Sequence, residues 1–456
     1  MRNILIIGAG RSATSLVQYI LNKSQEEDLL VTIGDISIQN ARKLAAGHPN
    51  AEATLIDIHN EQERREIVSD SDIVISMLPA RYHIEVARDC LEFGIHLVTA
   101  SYVSDEMQSL HRKAKAKGLV FMNEIGVDPG IDHMSAMQVI DRIRDNGGKM
   151  LMFESFTGGL VAPESDDNLW NYKFTWNPRN VVLAGQGGAA EFIQEGTYKY
   201  IPYHRLFRRT EFLQVEGYGR FEAYANRNSL KYRDIYGLED ILTLYRGTIR
   251  RVGFSKAWNI FVQLGMTDDS YMIPHSEDLS YRQFVNLFLP YSPTDSVELK
   301  LRHNLKIDQD DLIWDKLVEL DIFNGEKTIG IKDATPAQAL QKILMEKWTL
   351  QEDEKDMIVM YHKFGYELEG KKKQIDSNMV IKGEDQTYTA MAKTVGLPVA
   401  IAALKILNRE ITTPGVLRPI AKEIYDPILK ELEDYGITFN EHFTNYLGYN
   451  PDNVGG

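Results

Sequence analysis

Along the first 122 residues, unbroken apolar runs alternate with stretches whose apolar positions recur every three to four residues. The runs are 4–7, 29–34, 53–57, 72–76, 96–99 and 119–122, and the intervening stretches include 12–21, 39–46, 81–93 and 105–117. Continuous apolar strands separated by amphipathic helices predict a parallel sheet covered on both faces. After residue 150 the pattern changes. Segments 150–157 and 211–225 alternate or run apolar with aromatic residues, as strands do. Apolar positions three and four apart in 312–320 and 337–345 make 296–350 mainly helical. Segment 357–382 reads as a hairpin, 391–407 as an apolar helix containing Gly396 and Pro398, and 449–456 as a loose polar tail.

Between the first strand and the first helix stands Gly8-Ala9-Gly10-Arg11-Ser12-Ala13, a G-x-G-x-x-A arrangement. Gly8 permits a tight turn and Gly10 lets backbone approach a pyrophosphate. Ala13 lets helix and strand lie close, and the pyrophosphate would rest on the helix N–H groups. Six strands is the count of a complete dinucleotide-binding fold. The second strand ends at Asp35, an acid suited to ribose hydroxyls, followed by Ile36, with no Arg before Arg42. That favours NAD(H) over NADP(H), because the extra phosphate of NADP would meet an acid. Asp57 ends the third strand, where it faces the adenine side or caps a helix. Met77-Leu78-Pro79 follow the fourth strand, where the crevice of such a sheet opens. The fold class is therefore α/β, a Rossmann-type doubly wound parallel sheet. A second, α+β part carries a helical section at about 275–350.

Net charge is −14 and the isoelectric point near 5.4, which argues against binding nucleic acid. The exception is local: residues 205–251 hold nine Arg and one Lys against six acids. Arg presents a planar fork that pairs with carboxylates, so this stretch is a candidate clamp, or else a solvated or oligomer-contact face. The single cysteine, Cys90, excludes an internal disulfide and fits a reducing compartment. No metal site is expected, since neither paired Cys nor H-x-x-x-H occurs. No apolar run approaches a membrane span and no signal-peptide pattern appears, so the expectation is a cytoplasmic protein with no membrane contact.

After the sixth strand comes Asn123-Glu124-Ile125-Gly126-Val127-Asp128-Pro129-Gly130-Ile131-Asp132-His133-Met134. This resembles the saccharopine dehydrogenase (L-glutamate-forming) family. Similar stretches are Ala100-Ser101-Tyr102, Gly158-Gly159-Leu160, Tyr172-Lys173-Phe174, Asn226-Arg227, Arg246-Gly247-Thr248-Ile249-Arg250, His362-Lys363-Phe364-Gly365 and Thr394-Val395-Gly396-Leu397-Pro398. The resemblance runs from the first strand to about residue 438. It implies oxidative deamination of saccharopine, with hydride passing from the lysine-side carbon to the nicotinamide. Hydrolysis then gives 2-aminoadipate 6-semialdehyde and glutamate. It also implies a dinucleotide domain, 1–128 with 386–440, interrupted by a substrate and dimerisation domain, 129–385, in a homodimer.

The motif, the strand ends and the resemblance give the dinucleotide set as Gly8, Gly10, Arg11, Ser12, Ala13, Asp35, Ile36, Asp57, Met77, Leu78, Pro79, Ser101 and Val127. The substrate set is Ser101, Tyr102, Asp128, Thr157, Arg227, Thr248, Ile249 and Arg250. Saccharopine carries three carboxylates, so cations are needed, and Arg227 and Arg250 match family positions that hold them. Tyr102 can donate to a carboxylate or to the reacting nitrogen. Asp128 can balance the amine charge or move a proton, or merely cap the helix beginning near Asp132. Lys173 is an alternative catalytic group, or a partner for a carboxylate. Relatives carry Cys where this chain has Thr157, so a thiol there is not essential if the reaction is the same. Gly158-Gly159 suggests close approach of backbone to ligand, or a bulge. His83 follows the Leu78-Pro79 crevice, where it could face the cofactor, but reads rather as a helix-surface residue. Two other readings compete. One is a carboxyspermidine-type dehydrogenase of polyamine metabolism, whose site should be lined with acids. The other is a non-catalytic dinucleotide-sensing protein, which should have lost the clamps.

Overall fold

The computed structural model describes residues 1–448, so the tail at 449–456 lies outside the described residues. The chain divides into two compact units. The first comprises Met1–Met150, Tyr366–Lys371 and Met379–His442. The second comprises Leu151–Gly365, Lys372–Asn378 and the described residues from Phe443 on. The first unit runs past the expected boundary at 128 because helix Ile131–Asp145 packs on helix Lys422–Glu433 of the same unit.

Six strands open the chain: β1 (Arg2–Ile7), β2 (Leu29–Asp35), β3 (Ala51–Leu55), β4 (Ile73–Ser76), β5 (His96–Val98) and β6 (Val120–Met122). Eight follow: β7 (Lys149–Val161), β8 (Ala190–Gln194), β9 (Thr197–Ile201), β10 (Thr210–Val215), β11 (Gly219–Ala225), β12 (Thr243–Arg251), β13 (Asp356–Leu368) and β14 (Lys371–Lys382). Two short strands close the described chain, β15 (Gly415–Leu417) and β16 (Asn440–Thr444).

The first sheet has the order β15-β6-β5-β4-β1-β2-β3, parallel throughout. Ile4, Leu5 and Ile6 of β1 and Ile73, Val74 and Ile75 of β4 are wholly buried, as central strands covered on both faces must be. β3 starts two residues earlier than its apolar pattern suggests. It is an edge strand with Glu52 and Leu55 exposed, so burial does not mark its ends. The seventh strand, β15, has only three residues and no periodicity to read.

Helix Ala390–Leu407 returns the chain to this sheet. It is 18 residues long with mean hydropathy 1.6, apolar enough to cross a membrane by length and composition, contrary to the sequence expectation. Its burial accounts for that composition: 72% of it is covered inside the protein, against helices Thr14–Lys23 and Lys422–Glu433. Gly396 sits at the crossing, where a Cβ would stand 2.8 Å from the Leu16 nitrogen and 3.2 Å from the Ser12 carbonyl oxygen. Gly396→Val should therefore force the helices apart, at a cost of about 1–3 kcal/mol. Thermal melting with and without dinucleotide checks this; an unchanged midpoint would contradict the close crossing.

The second sheet runs β10-β11-β12-β7-β13-β14-β16, with β8 pairing β12 and β9. The predicted hairpin is β13–β14, turned by Glu369 and Gly370, both at positive φ. Helices Tyr281–Asn286 and Pro336–Trp348 begin at capping boxes led by Ser280 and Thr335, within the stretch expected to be helical. An aromatic core of Trp170, Tyr172, Phe254, Trp258 and Trp348 holds the end of β12 in place.

Candidate active site

In the first unit, Gly8 takes φ +108°, and a Cβ there would meet the Met77 carbonyl oxygen at 2.9 Å. The tight turn against Met77-Leu78-Pro79 therefore requires glycine. A Cβ on Gly10 would meet nothing within 4 Å, so protein packing does not explain glycine there. Close approach of a pyrophosphate does, and the chain fits a dinucleotide at this point. Arg11 is exposed, Ser12 half-buried, and Ala13 buried beneath the helix start. Asp35 accepts hydrogen bonds from the Ala9 N–H (2.7 Å) and the Ser37 N–H (2.8 Å), which fixes its carboxylate beside the glycine turn. Ile36 beside it is 73% exposed. Asp57 is exposed and accepts from the His59 N–H at 2.9 Å, so the structure gives it a turn-forming role.

At the carboxyl edge of the same sheet, the Tyr102 hydroxyl donates to Asp128 Oδ1 at 3.1 Å. The N-cap of helix Ile131–Asp145 is Gly130, whose N–H donates to Asp132 Oδ1 at 2.6 Å. The Asp128-Pro129 peptide is cis. Gly130 is required where a Cβ would overlap Gly126 backbone, and Val127 is buried under this turn.

Behind the two loops lies a residue the sequence reading did not use. Glu124, 2% exposed, accepts from the Val103 N–H (3.0 Å), Arg418 Nε (2.7 Å) and His133 Nε2 (2.9 Å). Burial opposes its ionisation, but the His133 hydrogen bond and charge, with Arg418, outweigh that and bring it down to about 2. It thereby ties the Tyr102 loop to the Asp128 loop. His83 is also buried rather than on a helix surface, and hydrogen-bonds Ser76, Thr99 and Ser101. Burial pushes its imidazole down to about 4.

In the second unit, Arg250 is 4% exposed and forms no ion pair among the described residues. Its cross-strand partner Glu222 spends both oxygens on the Gly253 and Ser255 N–H groups. The guanidinium bonds the Ile249 carbonyl at 2.8 Å and lies 5.1–5.7 Å from the rings of Tyr172, Phe254 and Tyr224. Its Nε has no hydrogen-bond partner among the described residues. A buried cation that makes no direct ion pair is costly, and a ligand carboxylate would offset that cost.

Arg227 is exposed, and its guanidinium has no partner among the described residues. Its backbone is pinned by Asn226 (2.9 Å) and Glu191 (2.7 Å). Thr157 and Thr248 are register partners on β7 and β12, and the Thr157 hydroxyl is buried without a partner among the described residues. Ile249 is fully buried, so only its backbone could meet a ligand. A Cβ at Gly158 would lie 2.5 Å from the Ile249 carbonyl oxygen, so strand packing, not a ligand, requires glycine there.

Lys173 is buried and committed to Glu354 and to Asp167 (3.0 Å), which favours ion pairing over catalysis. Cys90 is buried, and burial pushes its thiol up, away from reactivity. Among the described residues no group of three or more His, Cys, Asp or Glu is placed to hold a metal ion.

A six-stranded dinucleotide core in the order 3-2-1-4-5-6, a glycine turn that accepts a pyrophosphate, and a tyrosine–carboxylate pair at the sheet's edge define a dinucleotide-dependent oxidoreductase. Residues 4–122 match the saccharopine dehydrogenase NADP binding domain, and residues 126–437 match the saccharopine dehydrogenase C-terminal domain. The chain belongs to the saccharopine dehydrogenase family. It is 32% identical to saccharopine dehydrogenase [NADP(+), L-glutamate-forming] of Schizosaccharomyces pombe, over 97% of this chain and 99% of that one. It is also 32% identical to the mitochondrial alpha-aminoadipic semialdehyde synthase of Rattus norvegicus, over 97% of this chain and 48% of that one. Apo saccharopine dehydrogenase (L-Glu forming) from Saccharomyces cerevisiae superposes with a TM-score of 0.88 at 31% identity, covering 98% of this chain and all of the other. Homospermidine synthase of Legionella pneumophila, at 11% identity and a TM-score of 0.56, shares the fold.

Proposed function

We propose that the protein interconverts saccharopine with 2-aminoadipate 6-semialdehyde and glutamate, using NAD(H). The observation that carries this reading is Arg250, a buried guanidinium that forms no ion pair among the described residues. A tricarboxylate substrate supplies the carboxylate, and Arg227 offers a second free cation. A polyamine substrate would add positive charge beside them, which disfavours the carboxyspermidine reading.

When bound, the dinucleotide supplies the two-electron acceptor. The substrate's lysine-side carbon loses hydride, its nitrogen lone pair closes to a C=N bond, and water adds to that carbon. The C–N bond then breaks, releasing glutamate with the nitrogen and leaving an aldehyde. Before hydride leaves, the secondary ammonium must give up a proton. Asp128, held by the Tyr102 hydroxyl, is the acceptor we assign to that proton. Tyr102 lowers the cost of the carboxylate charge by donating to Oδ1 and keeps the other oxygen oriented.

The preference for NAD rests on Asp35, since a 2′-phosphate would face its carboxylate and the exposed Ile36 instead of a cation. Nicotinamide absorbance on purified protein with saccharopine tests both points. Rapid reduction of NAD is expected, with kcat/KM for NADP roughly tenfold or more lower, about 1.4 kcal/mol of discrimination. A preference for NADP would overturn the reading of Asp35 alone. Silence with both, and turnover of carboxyspermidine, would replace the substrate.

A further inference from the structure

We infer that His83 is a positioning residue for this reaction, acting through the hydroxyl of Ser101. Its kinetic consequences rest on the proposed activity. The contact itself rests on the geometry of the first unit.

His83 opens helix His83–Phe93, just after the short turn Ala80–Tyr82 that leaves β4. Nδ1 lies 2.8 Å from Oγ of Ser76, the last residue of β4. Nε2 lies 2.7 Å from Ser101 Oγ and 3.2 Å from Thr99 Oγ1, both just beyond β5. One ring thus bridges the carboxyl ends of two neighbouring strands, at the edge where ligands of such sheets bind. Ser76 and Thr99 are buried, and Ser101 is the half-buried member of the group.

All three partners of the ring are hydroxyls, so nothing compensates a charge on it. Burial keeps it neutral, with its pKa near 4. A neutral imidazole carries one N–H and one lone pair, so it donates at one nitrogen and accepts at the other. Either arrangement fixes Ser101 Oγ in place and uses one of its hydrogen-bonding directions, leaving the remainder for a ligand. The Ser101 backbone is held as well. Its carbonyl accepts from the Glu124 N–H (3.0 Å) and its N–H donates to Thr99 Oγ1 (3.3 Å). Ser101 therefore sits on a frame shared by Tyr102 and the loop of Asp128, and the ring sets where its hydroxyl points.

The test is a cycle of His83→Ala, Ser101→Ala and the double variant, with kcat, KM and dinucleotide affinity measured for each. Each single variant should lower kcat by about 10- to 100-fold, the loss expected from a misplaced contact. The double variant should fall no further than Ser101→Ala, because the histidine acts only through that hydroxyl. His83→Gln, whose amide can both donate and accept, should recover part of the loss. Additive losses, or wild-type kcat in His83→Ala, would overturn the role.

A second readout needs no turnover: NMR of 15N-histidine-labelled protein, with His83 identified by its absence in His83→Gln. Its ring should stay neutral down to pH 5.5 and shift in Ser101→Ala; a ring titrating near its ordinary value would overturn the contact. Wild-type protein inert to saccharopine would overturn the kinetic role together with the activity beneath it. An active wild type with additive variants would overturn the role alone.

Discussion

Replacing Arg250 by methionine is expected to lower kcat/KM for saccharopine by about 10²- to 10³-fold, mostly through KM, while leaving the ligand-free protein as stable as before or more so. The two effects share one cause. Arg250 is buried among Tyr172, Phe254 and Tyr224, which offset part of its desolvation, but no carboxylate among the described residues pairs with it directly. Truncating one member of a desolvated charge pair costs about 2–5 kcal/mol of binding. Methionine fills much the same volume without the charge, so the unliganded fold gains what the ligand loses. Thermal melting with and without saccharopine reads both. The wild type should gain stability on adding substrate, and the variant should gain little. A variant that melts well below wild type without ligand, yet turns over normally, would show that the guanidinium is a structural group.

The second large effect is on stability. Glu124→Gln should cost the first unit about 3–5 kcal/mol, because it removes the charge partner of Arg418 and one of the two carboxylates beside His133. Melting should fall by roughly 6–20 °C. The pH dependence follows from the depressed carboxyl. Its folded value is about 2, below its ordinary 4.5, so its contribution is present above the ordinary value and is lost as pH falls through the folded one. That contribution is about 3 kcal/mol. The gap between wild type and variant in urea unfolding should therefore be full at pH 6–7 and shrink between pH 4.5 and pH 2. A gap independent of pH would mean that shape, not charge, makes Glu124 matter.

The glycine turn, Asp35 and the Ser101-Tyr102 pair were legible because each stands at the end of a strand marked by its apolar run. Asp128, Arg227 and Arg250 came from the resemblance to the family, the two arginines also lying in a locally basic stretch of an acidic chain. What escaped depends on contacts between distant segments. β15 becomes a strand only by pairing with β6, and Glu124 finds Arg418 nearly three hundred residues away. His83 looked like a surface histidine because its helix is amphipathic, and its partners Ser76 and Ser101 come from two other segments. Lys173 and Gly158 sit in a family motif, which locates a neighbourhood without saying that one pairs with Glu354 and the other packs on Ile249.

The order in which the chain is made gives the returning helix a further meaning. Helix Thr14–Lys23, which carries the end of the glycine turn, is covered by Ala390–Leu407, made roughly 370 residues later. At about 5–20 residues per second, a ribosome needs tens of seconds to deliver that cover. Until then Leu16, buried in the finished fold against Gly396, lacks that cover on the nascent chain. The first unit thus closes, at its segment Met379–His442, only after most of the second unit has been made. A premature stop that spares every residue of the second sheet up to β14 would still leave the first unit without its seventh strand and its lid of apolar side chains. Such a product would be an aggregating fragment rather than a shortened enzyme.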